Sequence, residues 1–198
     1  HRTAKCLHTR FGDNVEISIS REHKKAFYGG LVQCGSVWAC PVCAAKVQER
    51  RRVEIAKGFD WSYSNNKKVI MVTFTFPHYF WQKLNHLLQR QAKAYKRLRA
   101  GNPWQRVKDR SGYVGLIRSL EITIGANGWH PHTHEAWIVD PDCDTEALKA
   151  TVSARWLKMC KKEGLVPDGK EEYFLEHAVH IMDNCRTSDY LEKQGDAS

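Results

Sequence analysis

YVGLIRSLEITIGANGWHPHTHEAWIV, residues 113–139, is the stretch that decides the fold. Tyr113 to Ile124 and Trp129 to Val139 are both β-prone runs, and Gly125-Ala126-Asn127-Gly128 between them suits the positive φ angles of a hairpin turn. Upstream, VIMVTFTF from Val69 to Phe76 reads as another strand, ended by Pro77, which has no backbone N–H to donate. Between that strand and the hairpin, Leu84, Leu87, Leu88, Tyr95 and Leu98 fall at mostly helical spacing, predicting a helix over Tyr79 to Ala100 that Gly101-Asn102-Pro103 terminates. Downstream, Asp144 is a good cap for a helix over Thr145 to Lys162, and Tyr173 to Met182 returns as a strand. The order β-α-β-β-α-β predicts an α+β fold of the ferredoxin/RRM-like kind, an antiparallel sheet with helices packed on it.

Toward the N-terminus, Val15 to Ile19 and Ala26 to Val32 flank a polar stretch and read as a hairpin leading into a cysteine cluster. AAKVQERRRVEIAKGF then predicts a basic helix to about Phe59. Two domains are expected: residues 1–60, a zinc-binding hairpin and basic helix, and residues 61–198, the sheet domain.

The 198 residues are 42% hydrophobic, enough for a real core, and carry a net charge of +9. No apolar run approaches the roughly 20 residues of a membrane span. No secretory signal opens the chain, which starts at His1, as expected of a trimmed fragment. The excess of cations favours partners that carry phosphate. Seven cysteines exclude a complete set of internal disulfides, and their clustering points to a metal site in a reducing, cytoplasmic setting.

Cys34, Cys40 and Cys43 lie within ten residues, and the two-residue gap of Cys40-Pro-Val-Cys43 lets both thiolates reach one zinc ion. Cys6 is the best candidate for the fourth ligand, since it precedes the hairpin that brings the chain back, with His8 the fallback. Redox chemistry of a CxxC pair is the rival; the third nearby cysteine weighs against it.

His130, His132 and His134 alternate along one strand, so their imidazoles share a face. The hairpin sets Glu121 beside them: opposite His134 if Ala126 pairs with Trp129, opposite His132 if Ile124 does. Two imidazoles and a carboxylate with open positions suit Mn2+ or Mg2+ that also binds a phosphate oxygen. His132 and His134 are preferred to His130, where Pro131 disturbs the ladder. Near the C-terminus, Tyr190 and Lys193 are three apart and would share a helix face, which beside such a metal makes Tyr190 a candidate nucleophile.

Taken together, VTFTFPH (72–78), GWHPHTH (128–134) and DYLEK (189–193) resemble, in order, the three motifs of the rolling-circle replication initiators of small bacterial plasmids. Those are His-hydrophobic-His (HUH) endonucleases, and GLVQCGSVWACPVCAAKV resembles the N-terminal zinc region of their single-tyrosine branch. The resemblance implies that Tyr190 attacks a scissile phosphate in single-stranded or hairpin origin DNA. A 5′-phosphotyrosine link and a free 3′-OH would result, and host helicase and polymerase would extend the primer. It also implies an acid near Tyr190 that activates water for termination; position 186 is Arg, so Asp183, Asp189 and Glu192 are the candidates, with Asp189 preferred. Thr133 departs from the bulky apolar residue usual between the metal histidines. Lys193 would stabilise the phosphate or lower the tyrosine's pKa. The basic segments at 49–52 and 94–99 would contact the DNA backbone, and Trp38 and Trp81 would contact bases. The alternatives are a non-catalytic zinc-containing nucleic-acid-binding module and a histidine-triad nucleotide hydrolase, the latter poorly matched by Pro131 and Thr133.

Overall fold

The computed structural model describes residues 2–22 and 24–187. They divide into two compact units, the first ending at Glu54 and the second beginning at Ile55. No helix among the described residues is long and apolar enough to cross a membrane.

In the first unit, a 3-10 turn at Thr3–Lys5 precedes the antiparallel strands β1 (Glu16–Ser20) and β2 (Lys25–Gly29). Helix α1 (Pro41–Ser64) starts inside the cysteine cluster, with Pro41 in the first turn where its missing N–H costs no helical bond. It runs further than the expected end at Phe59.

The second unit contains β3 (Lys68–Phe74), α2 (Leu84–Leu98), α3 (Gly101–Ser111), β4 (Gly115–Gly125), β5 (Gly128–Val139), α4 (Thr145–Lys162), α5 (Glu171–His177) and β6 (Val179–Met182). The sheet order is β4-β5-β3-β6 and every neighbouring pair is antiparallel, an α+β architecture with the expected strand succession. Asp144 caps α4, its side chain accepting from the amides of Glu146 and Ala147. Two elements differ from expectation. Gly101-Asn102-Pro103 ends α2 but also opens α3, because proline in a first turn lacks only an N–H that has no helical acceptor there. Residues 171–177 form α5, its last turn closed by the Ala178 amide donating to the Phe174 carbonyl at 2.8 Å, with strand starting only at Val179.

Strand alternation gives the sheet two different faces. On one, Ile70, Val72, Phe74, Trp137 and Val139 pack against Leu87, Tyr95 and Leu98 of α2, Trp104 of α3, and Val152 and Trp156 of α4. Each fully buried aliphatic or Phe side chain there contributes roughly 1.5–3 kcal/mol. On the other face, Ile55 and Phe59 of α1 cover Val69, Met71 and Ala136. The next positions along this face of β3 and β5 are Thr73 and His134.

Candidate metal centres

The hairpin settles into the register in which Ile124 pairs with Trp129, so Glu121 lies opposite His132 and Ser119 opposite His134. Glu121 Oε2 lies 2.9 Å from His132 Nε2 and 3.0 Å from His134 Nε2. One ligand atom from each of the three residues falls within 4.8 Å of the others. Neighbouring ligand atoms around an octahedral ion with bonds of 2.0–2.1 Å stand about 2.9 Å apart, so the donor set fits a divalent cation. His134 is 10% exposed at its side chain, His132 14% and Glu121 16%, a partly desolvated group still reached from outside.

The opposite ring nitrogens are held by the sheet. His134 Nδ1 meets Thr73 Oγ1 at 2.9 Å, and His132 Nδ1 reaches the His130 carbonyl at 3.3 Å. With Nδ1–H donated in both rings, each Nε2 presents a lone pair toward Glu121. His130 is engaged elsewhere: its Nε2 lies 2.6 Å from Thr75 Oγ1 and its ring stacks on His78 at 4.3 Å. Burial first, then His78 and His132, lower its pKa to about 4, so it stays neutral. Pro131 lies beyond the last β3–β5 pair, Phe74 with Thr133, so its missing N–H interrupts no bond to β3. Thr73, Thr75, His78 and His180 were not singled out from sequence. His180 pairs across β6 with Thr73, on the same sheet row as His134.

The other side of β5 is a buried polar network. Thr133, at the position between the two histidines, places its hydroxyl against Tyr95 Oη. Glu135 is fully buried and accepts from Arg99, from Arg118 Nε at 2.7 Å and from Trp137 Nε1 at 2.6 Å. Arg118 also lies over the Tyr95 ring at 4.5 Å.

In the first unit, Cys6, Cys34, Cys40 and Cys43 are the four buried residues among those described. All are free thiols. Their Sγ atoms stand 3.5 Å (Cys6–Cys43), 3.7 Å (Cys34–Cys43) and 3.6 Å (Cys40–Cys6) apart. A disulfide would need about 2.05 Å, whereas the edges of a tetrahedron with 2.3 Å zinc–sulfur bonds are about 3.8 Å. The Gly35 amide, together with the Cys6 sulfur, lowers the Cys43 thiol to about 7. The fourth member is Cys6, and His8 is not part of the group.

Tyr190, Lys193, Asp189 and Glu192 lie outside the described residues. Asp183 is described: Lys68 Nζ donates to it at 3.1 Å and the Asn184 amide at 2.8 Å, just after Met182 and away from the histidine row. In the basic run at 94–99, Tyr95 and Leu98 are buried and Arg99 pairs with the buried Glu135, while Lys96 and Arg97 are exposed, Arg97 pairing with Glu163 at 2.6 Å. At 49–52, Arg50 and Arg52 form exposed helix-surface pairs with Glu54 and Glu49. Trp38 and Trp81 are 79% and 65% exposed.

The chain is 34% identical over 137 residues to "Protein rep" of Streptomyces lividans, covering 56% of this chain and 30% of that protein. It is 31% identical over 135 residues to the "Neomycin resistance protein" of Streptomyces cyanogenus, covering 56% of this chain and 31% of that protein. It thus spans about a third of the length of these relatives. No solved structure matches. The family described as "Replication protein" matches residues 32–166, a span that takes in three of the four cluster cysteines, Glu121, His132 and His134, and the chain belongs to that family.

Proposed function

We propose that the chain initiates rolling-circle replication of a plasmid in the cytoplasm by nicking one strand of its origin through metal-dependent tyrosine transesterification. The observation that carries this reading is the convergence of Glu121, His132 and His134 on one face of the sheet, in a member of a replication protein family. Mn2+ or Mg2+ held by these three side chains would draw charge from a nonbridging phosphate oxygen. Thr73 fixes the His134 ring that offers Nε2 to it. Tyr190 Oη loses its proton and forms a bond to phosphorus as the bond from phosphorus to the 3′ oxygen breaks. The 3′ oxygen takes up a proton and leaves as the hydroxyl that primes synthesis. Lys193 offsets the charge at the phosphate, and Asp189 activates the water that ends the cycle. The four cysteines hold Zn2+ as a structural brace. The partners are single-stranded or hairpin origin DNA and the host helicase and polymerase.

The test is incubation with single-stranded DNA carrying the origin of its own replicon and Mn2+, followed by denaturing electrophoresis. A covalent protein–DNA adduct is expected from the unmodified chain and from neither Tyr190→Phe nor His132→Ala. Tight DNA binding and a loaded metal site without an adduct would refute the nickase and favour a binding module.

A further inference from the structure

Pro77 follows β3, and four rings come next in sequence: His78, Tyr79, Phe80 and Trp81. Phe76, one residue before Pro77, is buried in the core, but Phe80 is 73% exposed and Trp81 65%. Tyr79 and Trp81 lie face to face at 4.8 Å with an interplanar angle of 10°, and Phe80 stands edge-on to Trp81 at 5.1 Å. The segment is fastened at both ends of this step. The Tyr79 amide donates to Gln82 Oε1 at 2.8 Å, and the Gln82 amide returns to the Tyr79 carbonyl at 3.0 Å. Phe80 rests on the hairpin turn so closely that a Cβ on Gly128, which has φ +84°, would stand 2.7 Å from Phe80 Cα. The rings are therefore presented in a fixed arrangement, and a ligand stacking on them has little ordering left to impose.

Their surroundings choose the ligand. No Asp or Glu stands between Asp60 and Asp109, and the exposed Lys83 and His86 follow the step directly. On the other side, His78 stacks on His130, whose ring lies 4.7 Å from that of His132. Exposed ring faces on a segment that carries no carboxylate of its own, continuous with a candidate phosphate-binding metal centre, match unpaired nucleobases on a phosphate backbone. Paired bases in a duplex already have both faces covered, so only an unpaired strand offers the complementary surface.

We propose that Tyr79, Phe80 and Trp81 form a stacking step for unpaired bases beside the phosphate held at Glu121, His132 and His134. This rests on the function proposed above and adds how the strand is gripped there. Trp81 has the outer ring face, so a base continuing the Tyr79–Trp81 stack lies on it.

The test measures fluorescence anisotropy of a fluorescein-labelled single-stranded origin oligonucleotide and of its duplex, without divalent metal so that no strand is cut. Trp81→Ala is expected to bind the single strand about 5- to 150-fold more weakly and the duplex unchanged, while Trp81→Phe retains most of the affinity. An abasic nucleotide at the stacked position should abolish the difference between Trp81→Ala and the unmodified chain. Equal affinity of both proteins for every oligonucleotide, or an equal loss on duplex, overturns the step and leaves the exposed rings to a protein partner. The adduct assay reads the nicking separately. An adduct with no Trp81 dependence of binding overturns the step alone, and Trp81-dependent binding with no adduct overturns the nickase and leaves the step standing.

Discussion

Replacing Thr73 by Val removes the oxygen that meets His134 Nδ1 at 2.9 Å while preserving a β-branched side chain on a central strand. His134 is 8% exposed, so its Nδ1 has little water to turn to, and the ring loses the bond to Thr73 that favours the tautomer with Nε2 presented to the metal. Loss of such an outer partner of a ligating histidine costs about 10- to 100-fold in metal affinity, or about 1.4–2.7 kcal/mol. Isothermal titration with Mn2+ on the unmodified chain, Thr73→Val and Thr73→Ser reads this directly, with the Ser variant retaining the hydroxyl and most of the affinity. Thermal melting by circular dichroism checks that the sheet is intact. Binding of Mn2+ by Thr73→Val within about twofold of the unmodified chain would refute the role of Thr73 as the orienting partner.

Glu135→Gln leaves the guanidinium groups of Arg99 and Arg118 without their buried anion, a loss of about 3–5 kcal/mol. Thermal unfolding should fall by about 6–20 °C for a chain of this size, and an unchanged midpoint would show that the network does not bind as an ion pair. Cys40→Ser should lower the zinc content measured by atomic emission, and a strong chelator should raise amide exchange in β1 and β2 while β3 and β5 remain protected. Unchanged protection of β1 and β2 after chelation would refute a metal-dependent first unit.

The sheet and its helix α4 were legible because their signals are local: a Gly-rich turn between β-prone runs, and Asp144 ahead of a helical run. The side of β4 and β5 that carries Glu121 and the histidines followed from period-two geometry, once the turn was fixed to one of two registers. Helix α3 was not legible, since Gly101-Asn102-Pro103 reads equally as a stop and as a start, and the packing of Trp104 and Val107 into the core decides it. The short α5 was hidden for a related reason: Tyr173, Phe174 and Leu175 are apolar neighbours in sequence that read as strand, and the helical turn that sets Tyr173 against His177, four residues on, exists only in the folded chain. The inward turn of Arg99 is a tertiary effect. Within a basic run it looks like a surface cation, and only the distant Glu135 gives it a buried partner. Thr73 and Thr75 lie in the VTFTFPH segment, but nothing in a strand of β-formers gave them individual roles, because their part is defined by the ring nitrogens facing them.

Residues 132 to 135 of β5 point alternately to an open row of metal-ligating groups and to a sealed network of Thr133, Tyr95, Glu135 and two arginines. Most strands with one solvated side can trade polar residues there freely, since error on that side is inexpensive. This strand has no such side. A single-residue insertion or deletion within β5 ahead of His132 would turn two imidazoles toward Phe74, Tyr95 and Trp156 and carry Glu135 and Trp137 out of the core, so both faces of the sheet would fail together. The metal-ligating row and the fold are thus inherited as one unit, and substitution should be admitted at the exposed Ala126 and Asn127 of the turn far more readily than along the strand or at Gly128, which is held against Phe80.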